Sequence, residues 1–488
     1  MAWVVVREES VCEMPPNILW ICADQQRHDT IHNLGCASIN TPTLDWLSQS
    51  GTAFTRAYAQ SPICTPSRAS FLTGCRPSTT HVHRNGNESV PAHLPLVTRE
   101  LADAGYDCGL VGKLHLSSAD GRVEPRPADG YRFFEWNHHP APEPAWPLSA
   151  DAYQRWLQEH GVVSGRGDDF ARSAAGGSGR LGVPIPGVPV REHQTTWCVD
   201  RAIAFVSERR SGPWMLSVNM FDPHPPFDPP EEILAKVDPE SVPMPEFADG
   251  DLETQERLAG LDFQGNGAQS PAGYDARGMV AAYYAQIELI DMQLARLIDA
   301  LESTDQLRNT VIVYMSDHGE MLGDHGLIYK GCRFYEGLVR VPLIVSWPDG
   351  LAQGQVIDSL VELTDVAPTL REIAGLEQCG FAEGRSLVPS LTGSSTAPHR
   401  EVVYSEYHDA LDLPHHSHGT MIFDGRYKLA SYHDVGLFEL YDLDNDPGEH
   451  RNLWDDHHSS AIRHELLRKA VEELGKSAEM GGARLGTY

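Results

Sequence analysis

Short apolar runs punctuate this chain, and most of them stop on a polar cluster. Asn17-Ile18-Leu19-Trp20-Ile21-Cys22 follows Pro15-Pro16 and gives way to Asp24-Gln25. Trp214 to Phe221 ends in Asp222-Pro223-His224, and Thr310 to Met315 ends in Ser316-Asp317-His318-Gly319. Pro342-Leu343-Ile344-Val345 is a fourth run. Continuous rather than alternating hydrophobicity predicts strands buried on both faces. Between the runs the period lengthens: Ile287, Ile290, Leu294, Leu297, Ile298 and Leu301 fall on one helical face. Strands alternating with helices predict an α/β fold with a large, mostly parallel central sheet flanked by helices. Ligands of such sheets lie beyond the carboxyl ends of the strands, where three of these runs carry their polar residues.

The pattern changes after residue 395. Val402-Val403-Tyr404, Met421-Ile422-Phe423, Tyr427 to Ala430 and Phe438 to Tyr441 read as short strands, with Asp424-Gly425 as a hairpin signal. A helix is expected over residues 458–475. The division that follows is a catalytic unit over residues 15–395 and a small α+β subdomain with an antiparallel sheet over 396–488. Residues 117–195 and 225–275 are rich in Gly, Pro and Asp and read as surface insertions, where substrate selection often resides. Gly176-Gly177-Ser178-Gly179 reads as a flexible link, because no strand precedes it.

Composition narrows the choice of partners. Of 488 residues, 38 are Lys or Arg and 68 are Asp or Glu, a formal net charge of -30. That field repels nucleic acid and anionic membranes, so an anionic substrate needs a local basic pocket. The nine cysteines are irregularly spaced with no CxxC pair, which argues against a zinc knuckle and for small buried residues in a reducing compartment. The first residues lack the basic and long apolar regions of a signal peptide, and no run is long enough for a membrane helix. A cytoplasmic protein is expected, in which the sequon at Asn87 carries no meaning.

The polar clusters then supply candidate chemistry. Asp24-Gln25 and Asp317-His318 follow two apolar runs and can meet at one sheet edge. Taken singly, each pair is also an ordinary turn dipeptide. Together they form an oxygen-rich set with one nitrogen, suited to Ca²⁺, Mg²⁺ or Mn²⁺, with the imidazole favouring Mn²⁺. Cys64 precedes Thr65-Pro66-Ser67-Arg68, with Thr65 as an expected helix N-cap and Pro66 at the first helical position. At a helix N-terminus beside Arg68, Cys64 is either an activated thiolate or a buried residue with no role.

At this point the chain resembles the type I sulfatases, within the alkaline phosphatase-like superfamily. Cys64-Thr65-Pro66-Ser67-Arg68 matches their C-x-P-S-R signature, and Gly112-Lys113-Leu114-His115 is similar to a second. Asp317-His318-Gly319 followed by Gly323-Asp324-His325-Gly326 and Lys330 is similar to a third. Leu440 to Leu443, Asp446-Pro447, Glu449 and Asn452-Leu453 resemble the C-terminal one. The resemblance implies an alkaline phosphatase-like fold. It implies that a separate formylglycine-generating enzyme oxidises Cys64 to Cα-formylglycine. The hydrated aldehyde then attacks sulfur, and loss of its second hydroxyl proton expels sulfate. Asp24, Gln25, Asp317 and His318 match the metal positions, with modified Cys64 as a further ligand. Arg68 matches the group that holds formylglycine, and Lys113 and Lys330 match sulfate-binding cations. His115 would orient the diol or take its proton, and His224 would protonate the leaving oxygen. Asn85 aligns only loosely with a further anion contact.

Other histidines read differently. His325 is expected to be a plain loop residue, and His138-His139 and His415-His416 to be exposed loop histidines. Arg166-Gly167-Asp168 is a coincidence of letters, and Asp442-x-Asp444-x-Asp446 a turn rather than a calcium loop.

Two positions depart from the commonest sulfatase pattern. Gln25 stands where Asp is usual, and His318 where Asn is frequent. This set resembles bacterial phosphonate monoester hydrolases and some choline-sulfatase-like members, and it shifts the expected ion from Ca²⁺ toward Mn²⁺. Lys113-x-His115 fits a sulfate monoester instead. The expectation is hydrolysis of a small organic sulfate monoester, of the aryl kind, with promiscuity toward phosphonate and phosphate esters, by a homodimer or homotetramer. A phosphonate monoester or phosphodiester hydrolase is the second reading, and a metal- and anion-binding protein with unmodified Cys64 the third.

Overall fold

The structure is a computed structural model that describes residues 15–162, 187–262, 264–411, 416–433 and 435–477. The glycine-rich link at 176–179, the tripeptide at 166–168 and His415 lie outside the described residues. In chain order, the first nine strands are β1 (Asn17–Ala23), β2 (Gly51–Tyr58), β3 (Asp107–Gly112), β4 (Phe133–Trp136), β5 (Trp214–Asn219), β6 (Thr310–Ser316), β7 (Arg340–Ser346), β8 (Gln355–Ile357) and β9 (Val361–Glu362). They form one sheet in the order β4-β3-β5-β1-β6-β7-β2-β8, with β9 also on β2. Pairing is parallel from β4 through β6, whereas β7 runs antiparallel to both β6 and β2.

The unbroken apolar runs have the physical cause anticipated for them. Ile18, Trp20 and Cys22 of β1 enter one core, and Leu19, Ile21 and Ala23 enter the other, so neither face meets water. The helices that cover these faces include α1 (Cys64–Thr73), α2 (Gln194–Val206), α4 (Ala276–Ser303) and α5 (Val366–Ile373), whereas α3 (Asp251–Arg257) lies in the second insertion, against the turn Asp324–Gly326. In α4 the stripe of Ile290, Leu294, Leu297 and Leu301 packs under β1 and β6. Its first half, with Met279 to Ile287, fills a separate core against Phe227 and Ile233. Asp275 caps it by accepting from the Gly278 N–H at 2.9 Å.

A second sheet follows, β10 (Val403–His408), β11 (His418–Phe423), β12 (Tyr427–His433) and β13 (Leu437–Asp442), antiparallel throughout and in sequence order. Helix α6 (Ser460–Lys476) closes over it through Leu466, which meets Ile422, Leu429 and Leu440. The Asp424-Gly425 hairpin is present, and Gly425 takes the positive φ of 96° that such a turn requires. The first insertion is not wholly an insertion, because Phe133–Trp136 adds β4 to the sheet edge. No helix among the described residues is long and apolar enough to cross a membrane.

Candidate active site

Four neighbouring parallel strands deliver the site from their carboxyl ends. Asp24 and Gln25 follow β1, Asp317 and His318 follow β6, Lys113 follows β3, and His224 lies just beyond β5. Lys113 can leave β3 as it does because residue 112 is glycine. Gly112 has φ +94°, and a Cβ there would stand 2.0 Å from the Asn219 carbonyl oxygen. The Lys113 N–H donates to that same oxygen at 3.0 Å.

Cys64 comes from the other side, as the first residue of α1. The expected Thr65 cap is corrected here: the helix begins two residues earlier, Ile63 is the N-cap, and the Thr65 hydroxyl has no hydrogen-bond partner among the described residues. Asn85 takes over the capping, its Oδ1 accepting from the Thr65 N–H at 3.0 Å. That contact gives Asn85 a structural duty.

Arg68, fully buried one turn along, organises the acidic pair. Its Nε donates to Asp317 Oδ2 at 2.9 Å and its Nη2 to Asp24 Oδ2 at 3.1 Å. Asp317 Oδ1 accepts the N–H groups of Gln25 and His318, both at 3.0 Å. Asp24, Cys64, Asp317 and His318 each place a ligand atom within 4.8 Å of the others. His318 Nδ1 is tied to the Gly319 carbonyl at 2.8 Å, which leaves Nε2 facing Cys64 Sγ at 3.2 Å. Glu320 accepts from the Gln25 amide nitrogen, which leaves Oε1 as the atom that Gln25 can offer an ion. Two carboxylates, an amide oxygen and an imidazole nitrogen with its other nitrogen anchored are a fitting set for a divalent cation. Burial opposes ionisation of Asp24, yet Lys113, with Arg68 and Lys330, holds its carboxyl well below the usual range.

Two buried lysines reach both Cys64 and the acidic cage. Lys330 Nζ lies 2.8 Å from Cys64 Sγ, 2.9 Å from Gln25 Oε1 and 2.9 Å from His224 Nε2. Lys113 Nζ lies 2.6 Å from Asp24 Oδ2 and 4.0 Å from Cys64 Sγ. Burial alone would raise the Cys64 thiol, but Lys113 and Lys330 outweigh it and bring the pKa down to about 7. Burial, reinforced by Lys330, drives His224 well below the usual imidazole value. Its Nδ1 meets the Pro225 carbonyl at 2.6 Å, so Nε2 is the acceptor for Lys330.

His115 is buried with φ 52°, its ring 4.3 Å from that of His138. The histidines at 138 and 139 are therefore half-buried neighbours of the site, packed on Trp146, rather than exposed. His325 is corrected in the same sense, being buried beside Asp251. His415 is not described, and His416 is exposed as expected. Two buried carboxylates escaped sequence reasoning. Glu320 orients Gln25, and Glu124 gathers the N–H groups of His115, Leu116 and Ser117 along with the Trp136 indole. Each sits among loop residues whose pattern has no period, so no signal marks it.

A mostly parallel sheet with a buried acidic cage at its carboxyl edge, faced by a lysine-flanked residue on a helix N-terminus, defines an alkaline phosphatase-like hydrolase. The sequence model described as Sulfatase matches residues 16–376, so the chain belongs to the sulfatase family and is a sulfuric ester hydrolase. A second model, described as N-sulphoglucosamine sulphohydrolase, C-terminal, matches residues 323–476, which contain the antiparallel sheet. The chain is 30% identical to an arylsulfatase of Clostridium perfringens over 449 residues, covering 90% of each chain. It is 30% identical to a choline-sulfatase of Rhizobium meliloti over 464 residues, covering 90% of this chain and 82% of the other. Its structure is similar to the phosphonate monoester hydrolase of Agrobacterium radiobacter, with TM-score 0.77, 25% identity and coverage of 95% and 96%.

Proposed function

We propose that this sulfatase hydrolyses small organic sulfate monoesters, aryl esters among them, with residue 64 as nucleophile after a separate enzyme has converted it to formylglycine. The observation that carries the reading is the placement of Cys64 between a cation cage and two buried lysines. The hydrated aldehyde supplies an oxygen nucleophile together with a built-in route for expelling sulfate. Asp24, Gln25, Asp317 and His318 would hold one divalent ion, Mn²⁺ or Ca²⁺, which lowers the pKa of a bound hydroxyl and polarises the ester oxygen. The imidazole and the amide in place of a third carboxylate favour Mn²⁺.

The chain's own residues do the rest. Lys113 and Lys330 flank residue 64 and can bind sulfate oxygens on either side, offsetting charge as it builds in the transition state. Arg68, spent on Asp24 and Asp317, keeps the cage rigid rather than touching substrate. His224 starts neutral, because Lys330 points a proton at its Nε2. An anionic ester seated between the lysines reduces the positive field and raises the proton affinity of that imidazole. His224, protonated as the ester binds, is then able to pass that proton to the leaving oxygen while Lys330 keeps its charge. His115 borders the same space from the β3 side and can orient the diol.

The likeness to phosphonate monoester hydrolases supports a secondary activity toward phosphonate and phosphate diesters, whose reacting centre carries similar charge. The test compares kcat/KM for p-nitrophenyl sulfate and phenyl p-nitrophenyl phosphonate, in the mature enzyme and in Cys64→Ala. Sulfate should be preferred, and the variant should lose both activities. A diester preference of several orders of magnitude would reverse the assignment, and full activity of the variant would remove the nucleophile.

A further inference from the structure

We propose a second divalent metal site, suited to zinc, built by Asp251, His325 and His450 and separate from the cage around Cys64. The three residues come from distant parts of the chain. Asp251 opens α3 in the second insertion, His325 sits in the turn Asp324–Gly326, and His450 follows β13. One ligand atom from each lies within 4.8 Å of the others.

The spacing is that of a coordination shell. Asp251 Oδ1 stands 3.2 Å from His450 Nδ1 and 3.5 Å from His325 Nδ1. An ion bound tetrahedrally at zinc distances leaves its donors about 3.3 Å apart. As hydrogen bonds, by contrast, the His450 contact is at the upper end of the usual range and the His325 contact beyond it, and both rings would have to donate to one oxygen. Two imidazole nitrogens and one carboxylate oxygen are borderline donors, which favour zinc over calcium or magnesium.

Each donor is held in place by its surroundings. Asp251 Oδ2 accepts the Ala248 N–H at 2.8 Å, which turns Oδ1 toward the rings. His325 takes φ 54°, is fixed by its N–H to the Glu246 carbonyl at 2.8 Å, and stacks on Tyr335 with centroids 3.9 Å apart. His450 lies beside Gly448, where a Cβ would come within 2.7 Å of its Nε2 and displace the ring. Glu246 Oε2 lies 3.8 Å from that Nε2, the place of an outer carboxylate that orients a ligating imidazole. Asp251 and His325 are buried and His450 is partly exposed, so the ion has a path in. An ion there would fasten the second insertion and the segment after β13 to the loop that carries Lys330.

The experiment uses the full-length mature protein, stripped with a chelator and titrated with zinc chloride against a chromophoric competitor. The wild type should bind one more equivalent of zinc than His450→Gln, and substitution with cobalt should give ligand-field bands that the variant lacks. Loss of one ligand should weaken zinc at that site about 100-fold or more. Circular dichroism checks folding, and Asp251→Ser serves as a second variant if His450→Gln does not fold. Equal zinc stoichiometry in the wild type and both variants overturns the site, and leaves a hydrogen-bonded cluster that holds the same segments together.

Discussion

A single carboxylate settles which way the Gln25 amide points. Glu320 Oε2 takes the amide nitrogen, so Oε1 is presented to Lys330 and to the cage. Glu320 Oε1 accepts from the N–H groups of Leu322 and Tyr329, the two ends of the loop that brings Lys330 back to Cys64. Burial pushes the Glu320 carboxyl up, and these donors favour its ionised form against that push. Glu320→Ala should free the amide to turn its nitrogen inward. We expect kcat/KM to fall about 10- to 100-fold, with metal affinity falling alongside, as for other residues that orient a ligand. Turnover assays and metal titration on the same preparation check this. A variant with wild-type values in both would mean that the backbone alone orients Gln25. Residues of this kind are the ones a sequence hides. Asp24, Asp317 and His224 announce themselves because each closes an apolar run, whereas Glu320 and Glu124 stand in aperiodic loops and acquire their duties only when the chain folds.

At the scale of elements, the helix that carries Cys64 is an unusual object. Every residue from Cys64 to Thr73 is buried, including Arg68 and four hydroxyl side chains, so it has no solvent face to make it amphipathic. Its apolar residues could be read from the sequence, but its start could not. Thr65-Pro66 has the composition of a helix entry, yet the backbone turns helical at Cys64 because Asn85 supplies the missing acceptor from a loop. This places residue 64 inside the first turn, where free N–H groups and the dipole favour negative charge. Asn85→Ala should lower stability by about 1 kcal/mol, the usual cost of losing a cap. Denaturant unfolding measures it, and an unchanged midpoint would show that another acceptor replaces Asn85. The long strands were legible for a simpler reason: burial on both faces writes an unbroken apolar run. Gln355–Ile357, Val361–Glu362 and Phe133–Trp136 were not, since runs of two to four residues carry too little pattern to stand out from loops.

Across the whole molecule, a buried ionic belt joins the nine-stranded sheet to the segments that follow it. Asp365, just before α5, receives the Arg400 guanidinium, with Nε to Oδ2 at 3.1 Å, and lies 3.1 Å from His399 Nε2. Arg400 also reaches Glu362 at 3.3 Å, and Arg76 spans from Glu362 to Glu473 near the end of α6. Burial would raise the Asp365 carboxyl, but Arg400 and then His399 outweigh it and hold it well below the ordinary carboxylate value. A carboxyl whose pKa is lower in the folded state stabilises the fold at every pH above its unfolded value, about 3.9, and that contribution is lost as pH falls toward the folded value. Asp365→Asn removes the charge at all pH and leaves Arg400 short of a partner. It should cost about 3 kcal/mol near neutrality, the scale of a broken buried ion pair. Thermal midpoints of wild type and variant, recorded from pH 7 down to pH 3, should therefore converge only below about pH 4, where the wild type begins to lose what the variant never had. Curves separated by a constant gap through that range would mean that Asp365 contributes by shape and hydrogen bonding rather than by charge.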